Sequence, residues 1–196
     1  MQSEDLRLKQ LLLQVNPRLD EPSCTYMLSV FQRREMKAKE TFIDFDERQK
    51  GVGVVISGLM RGYYVNEKGE EITVRFVREG GYATHYSALL TGQPSRYRFY
   101  CLENSLIYEL SYADMLKGYA QFPEIERYGR LVAEGVLIEQ QTRIERFQFF
   151  NAEERYKAFI AENPSLFNRI SLSHLATYLG LQRPSLSRIR RNLAKS

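Results

Sequence analysis

The sequence predicts an α+β fold in which a glycine-punctuated β domain precedes a long helix and a C-terminal helix pair. Three observations predict it: short β-type runs between Thr41 and Leu110, an uninterrupted helical stretch after Pro123, and a basic C-terminal segment with two amphipathic helical patterns. A chain of 196 residues has room for two domains of unequal size.

Composition is that of an ordinary folded protein, with 43% hydrophobic and 27% charged residues. No apolar run approaches the roughly 18–20 residues that cross a bilayer. The segment Leu11–Val15 is too short for a signal peptide. We therefore expect a cytoplasmic protein without membrane contact.

Metal chemistry is not indicated. The two cysteines, Cys24 and Cys101, are too few for a four-thiolate site, and we expect them to be buried and reduced. The two histidines, His85 and His174, lie far apart in the sequence. We predict no metal and no cofactor.

The N-terminal elements follow from periodicity. Leu6–Val15 and Ser23–Phe31 have helical patterns, whereas short β-type runs separated by glycines follow from Thr41. Asn66–Gly69 lies between two such runs and predicts a hairpin turn. Tyr97–Cys101 and Ser105–Leu110 supply the last predicted strands. Many short strands with glycine turns predict a sandwich or barrel.

Helical patterns return at Tyr112–Tyr119 and then continue past Pro123 to about Gln148. A helix of some 25 residues would be about 38 Å long, and in a small protein it either spans modules or pairs with a second copy. Five residues at alternating spacings of three and four predict a coiled-coil seam between two copies. These are Tyr128, Leu131, Gly135, Ile138 and Thr142. Alternatively, this face packs on the chain's own β domain.

A domain boundary is expected near Phe149–Asn151. Asn151 and Glu154 have the spacing of a reciprocal capping box at the start of the next helix. We therefore expect a sensor domain over residues 1–120, a dimerisation helix and hinge over 121–149, and a helix-turn-helix domain over 150–196.

The segment from Arg169 to Leu193 predicts two helices joined by a tight turn. Ser171 is expected to cap the first helix, Gly180 to supply a positive-φ turn, and Pro184 to occupy the first turn of the second helix. Leu186, Ile189 and Leu193 are expected to face inward. The outward and flanking positions are Arg183, Ser185, Ser187, Arg188, Arg190 and Arg191.

Charge supports a polyanion-binding role for this segment. From Asn168 to the C-terminus the chain has six basic residues, including Lys195, and no acidic residue, so the rest of the chain carries −2 of the net +4. Arginine can grip guanine in the major groove, and serine hydroxyls can reach phosphates. We expect the segment to bind double-stranded DNA, although a solvated basic tail would have the same charge.

At Leu179–Arg190, and at the glycine-containing segments Val54–Gly58, Glu67–Glu70 and Val77–Gly80, the chain resembles the catabolite-activator and fumarate–nitrate-regulator (CRP/FNR) family of bacterial transcription factors. The resemblance extends along nearly the whole chain and is strongest to the Bacteroidetes-type branch. It implies a cyclic-nucleotide-binding-like β-roll (a double-stranded β-helix) and a winged-helix-type helix-turn-helix domain. It also implies a homodimer that binds a palindromic operator and contacts RNA polymerase.

The resemblance also assigns roles to individual residues. By position it places base reading on Arg183 and Arg188, with Ser185 and Ser187 nearer the DNA backbone. Some members have an acidic base reader where this chain has Pro184. We therefore expect its operator to differ from theirs.

The predicted sensor pocket departs from the cyclic-nucleotide pattern of the family. Members that bind these nucleotides carry Gly-Glu-Leu and then Arg-Ser or Arg-Thr, and the matching positions here are Thr84, His85, Tyr86, Ser95 and Arg96. The carboxylate is missing, and the arginine is displaced by one residue, which on a strand reverses the direction of its side chain. We expect an unknown small-molecule effector or none. A strand bulge that restores Arg96 would instead give a cyclic-nucleotide-responsive regulator.

Two other classes of function fit the sequence less well. An oxygenase built on a β-roll needs convergent histidines, and only His85 lies in the predicted roll, so we expect no enzyme activity. A ligand-binding adaptor whose C-terminal helices contact protein would not need an acid-free arginine face.

Overall fold

The computed structural model describes residues 3–194, so Lys195 lies outside the described part of the chain. These described residues form eight strands: β1 (Gln32–Met36), β2 (Thr41–Ile43), β3 (Gly51–Ser57), β4 (Met60–Val65), β5 (Glu71–Val77), β6 (Tyr82–Ala83), β7 (Arg98–Cys101) and β8 (Ser105–Ser111). The α-helices are α1 (Ser3–Val15), α2 (Glu21–Val30), α3 (Tyr86–Thr91), α4 (Tyr112–Gln121), α5 (Pro123–Phe149), α6 (Ala152–Glu162), α7 (Leu172–Tyr178) and α8 (Arg183–Leu193).

The strands form two four-stranded sheets, in the orders β1-β8-β3-β6 and β2-β7-β4-β5. Strand β3 pairs antiparallel with β8, with Gly51 opposite Ser111 and Val55 opposite Ile107. The predicted hairpin is β4–β5, with Gly69 at φ +79° in its turn. These two sheets are the β-roll that the sequence predicts.

Alternation along β3 divides the apolar core into two clusters. Val55 belongs to a cluster with Met60 and Phe99, which draws residues from both sheets. Its neighbours Val54 and Ile56 point to the opposite face and pack with residues of α1, α2 and α5. The first sheet is therefore covered by apolar side chains on both faces.

The chain divides into two compact units. The first contains the residues up to Gly62 together with Phe76–Leu137, and the second contains Tyr63–Arg75 and the residues from Ile138 onward. Helix α5 contributes to both units. The three-domain boundaries expected from the sequence remain a prediction.

Within the second unit, the hairpin contacts α7. The backbone amide of Thr73 donates to Oγ1 of Thr177 at 3.2 Å, and the two hydroxyl oxygens lie 2.9 Å apart. Arg75 forms an ion pair with Glu139 of α5, with Nη2 and Oε2 2.6 Å apart. Between residues 150 and 194 the structure describes helices and turns and no strand, so these residues do not contain the wing that the winged-helix expectation requires.

Candidate DNA-binding surface and sensor pocket

Helices α7 and α8 are joined by the tight turn that the sequence predicts. The Ser171 side chain caps α7 by accepting from the backbone amide of His174 at 3.1 Å. Gly180 has φ +68°, and the amide of Leu181 donates back to the Ala176 carbonyl at 2.9 Å. Only a few residues therefore separate the two helices, and α8 begins without a side-chain cap.

The inward faces of both helices are apolar. Leu175 and Ala176 of α7 are buried, as is Leu179 just after its end, and Leu186 of α8 is fully buried. Ile189 and Leu193 lie at the spacing that places them beside Leu186 and are half-buried. This confirms the predicted inward face of the pair.

The opposite face of α8 is basic and exposed. Its exposed members are Arg183, Ser187, Arg188 and Arg191. Ser185 and Arg190 lie at its flanks and are half-buried. The guanidinium carbon of Arg190 lies 4.8 Å from the centre of the Phe167 ring, a cation–π contact that fixes the side chain against the domain. We call the four exposed residues the α8 outer face.

Two arginines outside the predicted motif satisfy the last carbonyls of α7. Nη2 of Arg143, in α5, donates to the Tyr178 carbonyl at 3.1 Å, and Nε of Arg155, in α6, donates to the Leu179 carbonyl at 3.1 Å. Cationic groups at a helix C-terminus are favourable because the helix dipole is negative there. The Arg143 guanidinium also lies 4.1 Å from the Tyr178 ring centre. Sequence reasoning missed both arginines because their partners are 24 and 35 residues away.

The predicted seam on α5 divides into a buried and an exposed part. Tyr128 is only 6% exposed, and its hydroxyl oxygen lies 2.6 Å from that of Tyr82 in β6. Tyr128 thus belongs to the core of its own chain, which corrects its assignment to an intermolecular seam. The same spacing of three and four serves both kinds of packing. Ile138 is 66% exposed and Gly135 is exposed, whereas Leu131 and Thr142 are half-buried.

The segment from Thr84 to Tyr97 holds the residues expected at the sensor pocket. Thr84 and Ser95 are buried, His85 and Tyr86 are half-buried, and Arg96 is exposed. Arg96 lies in a bend between α3 and β7 and not on a strand. A one-residue shift therefore does not reverse the direction of the Arg96 side chain as it would on a strand, and the side chain is exposed because of the bend.

His85 lies at the centre of this segment. Its Nδ1 is 3.1 Å from the Ser95 hydroxyl, its Nε2 is 3.1 Å from the Ser87 hydroxyl, and its ring stacks on Tyr97 with centres 4.2 Å apart. Burial, and secondarily the charge of Arg96, lower the pKa of His85 below its usual 6.5. The imidazole is therefore held in its neutral form.

The remaining polar groups here are paired within the chain. The Ser95 hydroxyl donates to the Tyr97 carbonyl at 2.7 Å and accepts from the Tyr97 amide at 3.2 Å. The Gln49 side chain makes two hydrogen bonds in this segment: its Nε2 donates to the Thr84 hydroxyl at 2.6 Å, and its Oε1 accepts from the His85 amide at 2.9 Å. Each of these groups would have to exchange a partner to hold a phosphate or ribose.

Metal-ligating side chains do not cluster in the described residues, where no group of three or more His, Cys, Asp or Glu is placed to hold an ion. Among the same residues, no helix has the length and apolar character needed to span a bilayer. Cys24 and Cys101 are both buried free thiols, as the sequence predicts.

Comparisons with known proteins agree with this fold. Residues 33–122 match the family model of the cyclic nucleotide-binding domain. FixK2 from Bradyrhizobium japonicum is similar in structure, with a TM-score of 0.74 at 19% identity over 85% of each chain. The c-di-GMP-responsive global regulator CLP of Xanthomonas campestris gives a TM-score of 0.71 at 14% identity, over 90% of this chain and 92% of that one.

The catabolite activator protein of Thermus thermophilus gives a TM-score of 0.58 at 20% identity, over 94% of this chain and 87% of that one. No curated protein matches the chain by sequence. At these identities the structural similarities establish the fold, a cyclic-nucleotide-binding-type β-roll accompanied by helices.

Proposed function

We propose that the chain is a sequence-specific DNA-binding transcription regulator of the CRP/FNR type that acts as a homodimer on a palindromic operator. The observation that carries the proposal is the α8 outer face. It presents three exposed arginines and one serine on the second helix of a tight helix pair, in a segment without acidic residues. Such a helix fits the major groove, where arginine recognises guanine bidentately.

Within this surface we assign base reading to Arg183 and Arg188. Ser185, Ser187, Arg190 and Arg191 are assigned to the DNA backbone or to the edge of the contact. Arg190 suits an edge position because its guanidinium is already stacked on Phe167. A side chain that is already fixed loses less conformational freedom when it binds, so we expect Arg190 to position the domain on the DNA.

The dimer proposal rests on the exposed part of α5. Leu137, Ile138 and Ile144 are 67%, 66% and 56% exposed, which is unusual for large aliphatic side chains on one helix. We retain Leu131, Gly135, Ile138 and Thr142 as the seam between two copies. One helix pair alone contacts too few base pairs for useful specificity, and a second copy doubles that number.

The sensor is proposed to bind neither cyclic AMP nor cyclic GMP at physiological concentrations. By the resemblance, the buried Ser95 matches the phosphate position, where the exposed Arg96 does not supply the missing cation, and His85 matches the ribose position in place of a carboxylate. Losing two charge-assisted hydrogen bonds should weaken binding by roughly two to four orders of magnitude. Calorimetry on the purified protein tests this, and a micromolar dissociation constant that disappears in Arg96→Ala would contradict it.

Binding of double-stranded DNA is tested by mobility shift with a pool of random-sequence duplexes. We expect retention of DNA that weakens steeply with salt, and its loss in the variant Arg183→Ala/Arg188→Ala/Arg191→Ala. A matched variant removes three exposed positive charges elsewhere, Arg7→Ala/Lys37→Ala/Lys68→Ala, and should retain most binding. Equal loss in the two variants would leave only a general charge effect and would contradict the proposed surface.

Two remaining parts of the proposal follow from the resemblance, namely the Bacteroidetes-type affiliation and contact with RNA polymerase. A cytoplasmic location and the lack of enzymatic activity are kept as the expectations from the sequence.

A further inference from the structure

A polar cavity lies within the first unit, where the segment between β2 and β3 approaches β8. Its lining consists of Phe42 and Ile43 of β2, residues 47–51, and Glu109 of β8, and it includes none of the residues expected at the sensor pocket. The volume is about 190 Å³, several times the roughly 30 Å³ that one water molecule takes up in the liquid. Drug-sized ligands need roughly 300–1,000 Å³, so this cavity suits a molecule about as large as an amino acid.

Glu109 places a carboxylate on the inward side of β8. Side chains two residues apart on a strand share a face, and Ile107 is fully buried in the core cluster that joins the two sheets. Gly53 lies opposite Glu109 on β3, and the Phe42 ring packs over it, since a Cβ there would lie 2.9 Å from Cε1 of that ring. A carboxylate and an aromatic ring therefore line the same cavity.

The charge of Glu109 is only partly compensated within the chain. Its side chain is 31% exposed, and its Oε2 lies 3.5 Å from Nη1 of Arg34. The same guanidinium lies 3.8 Å from the Glu40 carboxylate, so one positive charge faces two negative ones. An ammonium group in the cavity would therefore gain a charge-assisted hydrogen bond at Glu109.

The segment before β3 adds charges of both signs to the lining. Glu47, Arg48 and Lys50 are exposed, and within the described part of the chain none of them forms an ion pair. Arg48 and Lys50 can therefore bind a carboxylate without giving up an intramolecular partner. Together with Glu109, the lining has two acidic and two basic side chains.

We propose that this cavity binds a small zwitterion, namely an α-amino acid with a short aliphatic side chain. Its ammonium group faces Glu109, its carboxylate faces Arg48 and Lys50, and its side chain packs on Phe42. A ligand with only one of the two charges would be attracted by half of the charged lining and repelled by the other half. The mixed lining therefore favours a molecule that carries both charges.

Gln49 connects the cavity with the sensor segment. Its side chain donates to the Thr84 hydroxyl at 2.6 Å and accepts from the His85 amide at 2.9 Å, while the residue itself lines the cavity. A ligand that moves the segment before β3 would therefore also move these two residues. The inference rests on the proposed function only in making the amino acid the effector of a DNA-binding protein.

The test is calorimetry on the full-length protein with L-valine as the probe. Isobutylamine has the same side chain without the carboxylate, and isovalerate has it without the ammonium group. We expect saturable binding of one L-valine per chain with a dissociation constant below about 1 mM, and binding of each analogue about tenfold or more weaker. No saturable binding of L-valine, or equal binding of the three probes, would overturn the proposal.

Glu109→Gln tests the ammonium position, because it keeps the shape of the side chain and removes its charge. This variant should bind L-valine about tenfold or more weakly and lose the preference for L-valine over isovalerate. Glu67→Gln, at an exposed position in the β4–β5 turn, should bind as the wild type does. Circular dichroism verifies that both variants are folded. An unchanged preference in folded Glu109→Gln would show that the probe binds elsewhere and would overturn the proposal.

Arg48→Gln/Lys50→Gln tests the carboxylate position. This variant should lose the preference for L-valine over isobutylamine, whereas Lys37→Gln/Lys68→Gln, which removes two exposed charges elsewhere, should keep it. Equal losses in the two variants would reveal only a general charge effect and would overturn the assigned orientation.

DNA mobility shifts on the same preparations separate the two proposals. L-valine should change the DNA affinity of the wild type and leave that of Glu109→Gln unchanged, and L-valine binding without any such change would overturn the effector role. Retained DNA without L-valine binding means that the cavity assignment fails and the DNA-binding function stands. L-valine binding without retained DNA means the reverse.

Discussion

Replacing Gly180 by alanine perturbs the turn that positions the α8 outer face. Gly180 has φ +68°, a left-handed conformation that costs other residues roughly 1–2 kcal/mol. The added Cβ would also lie 2.7 Å from Cε1 of Phe147, closer than real Cβ atoms approach. Together the strain and the displaced ring should lower the free energy of unfolding by about 2–4 kcal/mol.

A matched glycine in the same unit separates these two causes. Gly69 has φ +79°, but a Cβ added there meets no atom within 4 Å. Gly69→Ala should therefore lose only about 1–2 kcal/mol. Urea denaturation followed by circular dichroism measures both losses, and mobility shifts should show weaker DNA binding for Gly180→Ala alone. Equal losses in the two variants, or an unperturbed Gly180→Ala, would refute the role of the Phe147 contact.

Three further predictions concern the seam, the DNA contacts and the sensor. In sedimentation, Ile138→Glu should shift the protein from a dimer to a monomer of 23.0 kDa. Gln140→Glu, at an exposed position on the other side of α5, should leave the dimer intact. A monomeric wild type would contradict the seam. Arg188→Ala should cost about 1–3 kcal/mol on a selected operator and relax preference at one position, while Arg191→Ala should weaken all sequences and lower the salt slope; equal effects on selected and random DNA for both would contradict these roles. Because the folded chain lowers the pKa of His85, the free energy of unfolding should fall as pH drops below about 6.5 towards the lowered value, since only the unfolded chain readily takes up the proton. His85→Gln should show a smaller fall in urea denaturation at matched pH, and an identical fall would show that His85 is not the group responsible.

Elements with strong local signals were predictable from the sequence. The capping box of Asn151 and Glu154 is present, and the Ser171 cap and the Gly180 turn form as expected. Helix α5 ends at Phe149, one residue beyond the expected end. These features depend on residues a few positions apart, so a single sequence contains the information that determines them.

Features that depend on distant partners were not predictable. Strand β1 was missed because its Gln32, Arg33 and Arg34 lack an apolar alternation, and its pairing with β8 is some 75 residues away along the chain. The burial of Tyr128 depends on Tyr82 of another element. Helical spacing identifies which residues share a face, but it does not identify what covers that face.

The candidate sites show the same division. The α8 outer face follows from local periodicity, because the fully buried Leu186 fixes which arginines point away. The conformation of the sensor segment does not, since Arg96 lies in a bend whose geometry depends on contacts such as that between His85 and Ser95. A cavity between the first sheet and α5 is lined by residues from six helices and strands, and of the predicted sensor residues only Thr84 and Tyr86 line it.

Genome-wide footprinting of the tagged protein in its native cells is the most direct test of DNA binding through the α8 outer face. We expect a limited set of protected sites that share a palindrome with half-sites about one helical turn apart, and loss of these sites in Arg183→Ala/Arg188→Ala/Arg191→Ala. Protection that is absent from the native genome, or that persists unchanged in the triple variant, would contradict a DNA-binding role for the α8 outer face.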